Sequence, residues 1–119
     1  MILFDSDHHP SHRAGEHEII VPIRLEGKTA LLEFLKEALR FPAYFGFNWD
    51  ALNDCLGDVA LGAEKFVLVH HDLPLEGEPT EQRTYLEILG NAARASDRLD
   101  AVFPVAYRSR VLAVIDPAD

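Results

Sequence analysis

The chain has 119 residues, 48% of them hydrophobic and 26% charged, and carries a formal charge of −9 at neutral pH. Its length favours a single domain spanning residues 1–119 with its own apolar core, and its composition argues against disorder. Because nucleic acid and anionic lipid both attract clustered Lys and Arg, the acidic balance argues against both and favours a basic protein partner.

Cysteine content and the lack of long apolar runs predict the compartment. The single cysteine, Cys55, has no partner for an intramolecular disulfide. Residues 1–13 lack the basic and apolar regions of a secretory signal, and no apolar run approaches the roughly 18 residues of a membrane-spanning helix. These features predict a soluble cytoplasmic protein without membrane association.

Residues 5–17 form a polar, histidine-rich lead. Histidine tracts bind metal ions in some proteins, but these histidines show no regular ligand spacing, and a solvated loop is the simpler interpretation. We therefore predict no metal site and no cofactor. Residues 1–15 are predicted to be an N-terminal extension of the domain.

The first predicted elements are an edge strand and an amphipathic helix. Residues 19–25 are rich in β-branched side chains, and Pro22, which cannot donate a backbone hydrogen bond, places the strand at a sheet edge. After Gly27, apolar residues recur at helical spacing until Pro42 ends the helix. The predicted core positions of this helix are Leu31, Phe34, Leu35, Ala38 and Leu39.

The second half of the chain contains two continuous apolar runs, at residues 65–70 and 111–115, that are typical of buried parallel strands. Between them, Thr80 is the predicted N-cap of a further helix. The core stripe of that helix is predicted to be Tyr85, Ile88, Leu89 and Ala92. Residues 101–107 are also apolar but contain Pro104, which leaves an edge strand and a packed loop as alternatives.

Strands therefore alternate with helices along the chain. This order predicts an α/β fold, a small layer structure with a parallel sheet of three strands joined by right-handed crossovers and packed with three to four helices. Whether the sheet also has an extra edge strand is left open.

An aromatic cluster runs directly into a helix between Phe41 and Val59. Asn48 is the predicted N-cap of this helix, which begins at Trp49. On a helical wheel its two faces differ sharply in character. The predicted core face carries Leu52, Cys55, Leu56 and Val59, and the opposite face carries Asp50, Asp54, Gly57 and Asp58.

We call Asp50, Asp54 and Asp58 the acid face. Exposed helix faces are commonly charged, and the helix dipole favours an acid at position 50. However, Asp54 repeats the charge one turn later, Asp58 lies near the unfavourable C-terminal end, and no Lys or Arg occurs in residues 41–63. Because local stability does not favour this arrangement, we predict that it serves a function.

Carboxylates beside aromatic rings suit an arginine-rich protein partner, since guanidinium pairs with carboxylates and stacks on rings. Tyr44 and Trp49 are the preferred aromatic contacts because each carries a polar group. We also expect some of the aromatic residues to pack in the core. At least two of the following four should be buried: Phe41, Phe45, Phe47 and Trp49.

Residues 41–56 read FPAYFGFNWDALNDCL and resemble the signature of the barstar family, intracellular inhibitors of the ribonuclease barnase. The resemblance rests on proline, an aromatic pair, glycine, asparagine, two acids and Cys-Leu at fixed offsets, and the order of elements also agrees. It implies a barstar-like fold without enzymatic activity. It also implies a bacterial immunity or antitoxin protein, monomeric when free, that binds a secreted microbial ribonuclease 1:1 and mimics RNA phosphates with its carboxylates.

The resemblance places family binding positions at Tyr44, Gly46, Asn48, Asp50 and Asp54. Asp54 takes the position of the aspartate that dominates binding in that family. With their neighbours, the predicted partner-binding residues are Tyr44, Phe45, Gly46, Asn48, Trp49, Asp50, Asn53, Asp54 and Asp58.

Three positions depart from the family pattern. Asn53 stands in place of a tryptophan, and Phe45 replaces a second tyrosine. The family also has an acidic contact on its last helix, and that position falls near Asn91 in this chain. Residues 1–15 and 99–109 are interpreted as additions to the pattern. These differences leave open which nuclease is bound and whether barnase itself is.

Two other functions are weighed. A barstar-fold regulatory or scaffolding module could bind a basic protein that is not a nuclease. A metal-dependent enzyme could hold a hard cation with Asp50 and Asp54, or use residues 70–72, His-His-Asp, at the end of a strand. No phosphate-binding loop or nucleophile elbow accompanies them, so a solvated strand end is the preferred interpretation of these histidines.

Overall fold

The computed structural model describes residues 1–4 and 16–116. Its four-stranded sheet has the order β1-β4-β3-β2, and all strands are parallel. The strands are β1 (Ile2–Phe4), β2 (Glu16–Val21), β3 (Lys65–His70) and β4 (Leu99–Phe103). The helices are α1 (Gly27–Ala38), α2 (Trp49–Leu61), α3 (Pro79–Ala95) and α4 (Arg108–Ile115), with a 3-10 turn at Val105–Tyr107. The α/β prediction is confirmed, but the fourth strand at the second sheet edge is β1, which lies in the predicted N-terminal extension and not in residues 101–107.

Strand β2 lies at the sheet edge, as Pro22 predicts, but its bounds differ from the prediction. It begins at Glu16 and ends at Val21, directly before the proline. Residues 22–25 leave the sheet because a proline cannot supply the next hydrogen bond of the ladder. The pairing of β2 with β3 runs from Glu16 opposite Lys65 to Val21 opposite His70.

The prediction for the last strand was wrong. The apolar run at 111–115 lies in α4, where Val111 and Ile115 are buried one helical turn apart. A short apolar run does not by itself distinguish a buried strand from a buried helix face. The last strand is instead β4, which lies between β1 and β3 and ends just before Pro104, so it is an interior strand rather than an edge strand or loop.

Strand β3 is buried on both faces, as its continuous apolar sequence predicts. Phe66 and Leu68 face the main core together with α1, α2, α3 and α4, whereas Val67 and Val69 join a second cluster on the opposite face of the sheet. This alternation follows from the two-residue period of a strand.

The predicted stripe of α1 is buried at Leu31, Leu35 and Leu39, and Leu32 is buried as well. Helix α3 begins two residues earlier than predicted. Its N-cap is Glu78 rather than Thr80, and Pro79 occupies the first helical position. Proline is favoured there because its fixed φ suits a helix and its missing N–H would have no intrahelical acceptor.

The interior glycine of α3 has a packing role that its sequence position does not reveal. A Cβ added at Gly90 would lie 3.0 Å from Cγ2 of Ile115, so the glycine lets α4 approach α3 closely. We expect Gly90→Ala to destabilise the protein by about 1–3 kcal/mol, because overpacking outweighs the better helix propensity of alanine.

The matched control is Gly57→Ala, in α2, where an added Cβ meets nothing within 4 Å. This variant should stabilise the protein by up to about 1 kcal/mol. Urea unfolding followed by circular dichroism measures both effects. A stabilising Gly90→Ala variant would show that α3 and α4 are not in close contact.

Candidate protein-binding surface

Asn48 initiates α2 as predicted. Its side-chain oxygen accepts a hydrogen bond from the N–H of Ala51 at 2.7 Å, which satisfies one of the free donors in the first helical turn. A Cβ added at Gly46 would lie 3.2 Å from the Asn48 amide nitrogen, so the glycine leaves room for the capping side chain. The cap therefore fixes the direction in which α2 leaves the preceding loop.

The two faces of α2 are as the helical wheel predicts. Leu52, Cys55 and Leu56 are buried in the main core, and Val59 packs against it. All three residues of the acid face are exposed, as are Asn53 and Gly57 between them. Core packing thus holds α2 by one side and turns its carboxylates toward solvent.

The acid face has no cationic partner in the part of the chain that the structure describes. No ion pair there involves Asp50, Asp54 or Asp58. Burial first, and then the nearby carboxylates of Asp58 and Asp54, raise the pKa of the Cys55 thiol. Cys55 is therefore held protonated and is not poised to act as a nucleophile.

The aromatic cluster divides between core and surface. Phe41 and Phe45 are buried, with ring centroids 5.1 Å apart, which confirms that at least two of these aromatic residues serve the core. Phe45, predicted as a partner contact, is only 4% exposed. Its ring packs in the main core beneath the loop and contributes little to the exposed surface.

Trp49, also predicted as a partner contact, uses its polar group within the molecule. Its indole N–H donates to the Glu81 carboxylate at 2.5 Å, and the Lys28 ammonium lies 5.4 Å from its ring centroid. The ring is half-buried and packs against the main core. The polar group that suggested an interface role thus joins α2 to α3 within the molecule.

We expect Trp49→Phe to lower the free energy of unfolding by about 1–2 kcal/mol, because the ring packing remains but a hydrogen bond to a carboxylate is lost. Urea unfolding followed by circular dichroism measures this. The control is Tyr44→Phe, whose hydroxyl belongs to a side chain that is 83% exposed and should not affect stability. If Trp49→Phe leaves stability unchanged but greatly weakens partner binding, the result would show that the indole N–H contacts the partner instead.

Phe47 is a surface residue that sequence reasoning did not assign to the partner-binding set. Its side chain is 41% exposed, and its backbone adopts a φ of +51°, a left-handed conformation that is unfavourable for a bulky residue. The ring packs edge-on against Phe45 at 5.1 Å between centroids. Such strain is concentrated at functional sites in proteins, and the only sequence signal was an aromatic residue placed between a loop glycine and a helix cap.

We give the name acid-aromatic surface to a set of exposed residues from the loop and from α2, all of which lie within residues 44–58. It consists of Tyr44, Gly46, Phe47, Asn48, Asp50, Asn53, Asp54 and Asp58, all of them exposed. The helix N-cap and the buried Phe45 give this surface a fixed conformation before any partner binds.

The two strand-end histidines differ in burial. His71 is exposed, but His70 is buried, contrary to the prediction of a solvated strand end. Its Nδ1 donates to the carbonyl of Val102 at 3.0 Å, so its Nε2 accepts from the Tyr85 hydroxyl at 2.7 Å. Burial lowers the pKa of His70 to about 4, which keeps the ring neutral and structural at neutral pH.

The remaining site predictions concern metals and membranes. No group of three or more His, Cys, Asp or Glu within residues 1–4 and 16–116 is placed to hold a metal ion. The histidines of residues 5–15 lie outside the described residues. In the described ranges, no helix is both long and apolar enough to cross a membrane.

The family model described as Barstar (barnase inhibitor) matches residues 20–108, well over half of the chain. The chain belongs to the barstar family. Members of this family are inhibitors rather than enzymes. The match includes the whole acid-aromatic surface, so the family resemblance extends to the feature that sequence and structure single out. No curated protein sequence matches the chain.

The extent of the barstar match corrects one further prediction. The sequence interpretation treats residues 99–109 as an addition to the family pattern, but the match continues through residue 108 and includes β4. Residues 1–15 lie outside the matched range, although residues 2–4 pair with β4 in the sheet.

Proposed function

We propose that this barstar-family protein inhibits a ribonuclease by covering the enzyme's active site with its acid-aromatic surface. The observation that carries the proposal is the acid face, whose three carboxylates lie on one exposed side of α2 and have no cationic partner in the described part of the chain. A surface of this kind is complementary to an enzyme that binds RNA phosphates with arginine and histidine.

The proposed mechanism is mimicry of the substrate's charge. The carboxylates of Asp50 and Asp54 would occupy positions that RNA phosphates take in the nuclease, and charge-assisted hydrogen bonds from arginine would hold them. Because the Asn48 cap and the buried Phe45 already fix the loop and helix, little conformational entropy is lost when the complex forms. Tyr44 and Phe47 supply exposed rings on which guanidinium groups can stack.

The partner in this proposal is a basic microbial ribonuclease that is secreted by the producing cell. The inhibitor would act in the cytoplasm as an immunity protein, monomeric when free and bound 1:1 to the enzyme. The charge of −9 supports rapid encounter with a basic enzyme.

The proposal is tested with barnase as the probe enzyme. Isothermal titration calorimetry should give a 1:1 complex, and cleavage of a fluorogenic RNA substrate should stop at equimolar inhibitor. If barnase is neither bound nor inhibited, the ribonuclease to be tested next is the one captured by the protein from its producing organism. Specific capture of a basic protein without RNA-cleaving activity would instead support a regulatory or scaffolding module.

Association with the enzyme should also depend strongly on salt. Raising NaCl from 50 to 500 mM should slow association about tenfold or more, since screening weakens attraction between oppositely charged surfaces, while dissociation should change much less. Stopped-flow fluorescence measures both rates. An association rate that does not change with salt would contradict recognition through the acid face.

A further inference from the structure

A pocket of about 350 Å³ lies beside the acid face, between the C-terminal ends of α1 and α2 and the start of β3. Its walls are mainly apolar. The apolar lining comes from Leu39, Phe41, Pro42, Val59 and Phe66. The Cys55 thiol also lines the pocket and, being largely buried, adds no charge to it. The interior therefore suits an aliphatic chain rather than a polar group.

Three charged residues lie at the rim of this pocket: Arg40, Asp58 and Glu64. Glu64 already has neighbours for both of its oxygens, since one lies 3.1 Å from Nε2 of His17 and the other 4.0 Å from the Arg40 guanidinium. Asp58 has neither an ion pair nor a side-chain hydrogen bond among the described residues. The rim thus carries two carboxylates and one guanidinium, and Asp58 is the carboxylate there that has no ion pair among the described residues.

We propose that this pocket binds an arginine side chain of the protein partner, with the aliphatic stem along the apolar walls and the guanidinium at Asp58. Long cationic side chains bury their methylene groups on apolar surface while the charged head stays near solvent. Guanidinium fits better than ammonium because it is more weakly hydrated and can pair with a carboxylate in two-pronged fashion.

Asp58 belongs both to the acid face and to the rim, so the pocket extends the acid-aromatic surface toward the C-terminal end of α2. The identity of the partner rests on the proposed function, whereas the preference of the pocket for a guanidinium group with an aliphatic stem does not. An experiment can therefore refute the arginine pocket without refuting the inhibitor function, and the reverse.

The probe is n-butylguanidinium, titrated into the full-length protein and followed by amide chemical shifts in NMR spectra. We expect saturable shifts at millimolar concentrations that are concentrated at Val59, Gly62 and Ala63. Neutral n-butylurea, which has a similar shape, should bind about fivefold more weakly, the size expected for one solvent-accessible charge pair. Equal binding of the two compounds, or shifts spread over the molecule, would overturn the proposal.

Two variants locate the binding site. Asp58→Asn keeps the shape of the rim and should weaken n-butylguanidinium about fivefold. Ala63→Trp adds a large ring at an exposed lining position and should abolish binding, whereas Ala106→Trp, on the exposed 3-10 turn, should leave it unchanged. Circular dichroism confirms that each variant folds. Unchanged binding to Asp58→Asn would refute the assigned orientation of the ligand.

A double variant separates this proposal from the proposed function. Asp50→Ala with Asp54→Ala should lose ribonuclease inhibition but keep n-butylguanidinium binding. If the wild-type protein binds n-butylguanidinium but inhibits no ribonuclease, the arginine pocket is supported and the inhibitor function is refuted. If it inhibits a ribonuclease but does not bind the probe, the inhibitor function is supported and the arginine pocket is refuted.

Discussion

Asp54→Ala should weaken binding to the target ribonuclease by about 2–5 kcal/mol, or about 30-fold to several-thousand-fold. Removing one member of a desolvated charge pair leaves the opposing arginine buried without its partner. The barstar–barnase complex is itself a reference system for this range, so the expected loss of affinity is taken from the family. Isothermal titration calorimetry, or competition against a labelled wild-type inhibitor, measures the loss.

The same substitution should leave the fold intact or slightly more stable. Aspartate is a poor residue for a helix interior, and Asp54 lies one turn from two like charges, Asp50 and Asp58. Its replacement by alanine should therefore raise the free energy of unfolding by about 0.5 kcal/mol. A residue whose removal stabilises the fold but abolishes binding is one retained for function.

Asp97→Ala is the matched control, because it removes the same charge at an exposed position after α3. It should change association only slightly, through the overall field. If Asp54→Ala and Asp97→Ala weaken binding equally, the acid face acts only as part of the net charge. If neither affects binding, the protein uses a different surface.

Acidification should destabilise the protein between pH 6.5 and pH 4 through His70. Burial lowers the pKa of His70 from 6.5 to about 4 in the folded state. In this window the unfolded chain binds a proton that the folded protein excludes, so the free energy of unfolding decreases as pH falls and levels off below pH 4. The expected loss from this group is about 3 kcal/mol.

The hydrogen bonds of His70 explain why protonation is unfavourable. In the neutral ring, Nε2 accepts from the Tyr85 hydroxyl, which is also fully buried. A proton on Nε2 would force that hydroxyl to become an acceptor and leave its own hydrogen without a partner, in a site where the ring stacks on Phe103 at 4.2 Å. Burial of the charge and the hydrogen bond with Tyr85 therefore oppose protonation, and burial outweighs the backbone hydrogen bond to Val102 and the nearby Asp72 carboxylate, which favour it.

The double variant His70→Phe with Tyr85→Phe removes both polar partners and should flatten the pH dependence between 6.5 and 4. The control His71→Gln changes the neighbouring exposed histidine and should keep the wild-type profile. Urea midpoints measured from pH 7.5 to 4 decide the matter. A double variant as acid-sensitive as the wild type would assign the destabilisation to other groups.

Much of α2 and its surface was predictable from local sequence. A capping residue, a 3.6-residue apolar period and aspartates without neighbouring cations all act within a few residues of one another. The exposure of Asp50, Asp54 and Asp58 followed from the wheel because the helix is amphipathic over its whole length.

The roles of individual aromatic residues were not predictable in the same way. Phe45 and Trp49 are close in sequence to Tyr44 and Phe47, but the first two pack inward and the last two remain exposed. Distant residues decide this, since Glu81 of α3 accepts the indole hydrogen bond of Trp49. A surface is therefore defined by contacts that local sequence patterns do not contain.

Local sequence patterns were enough to predict the α/β class, the edge position of β2, the buried β3, the capped helix α2 and its acid face. Each of these depends on the period of side chains along one element, or on the chemistry of one proline or asparagine. Three outcomes depend on the packing of the folded chain: 111–115 is helical, β4 is an interior strand, and His70 is a buried partner of Tyr85. Those outcomes depend on which elements pack against each other, because burial and hydrogen bonding between residues far apart in the chain outweigh weak local preferences.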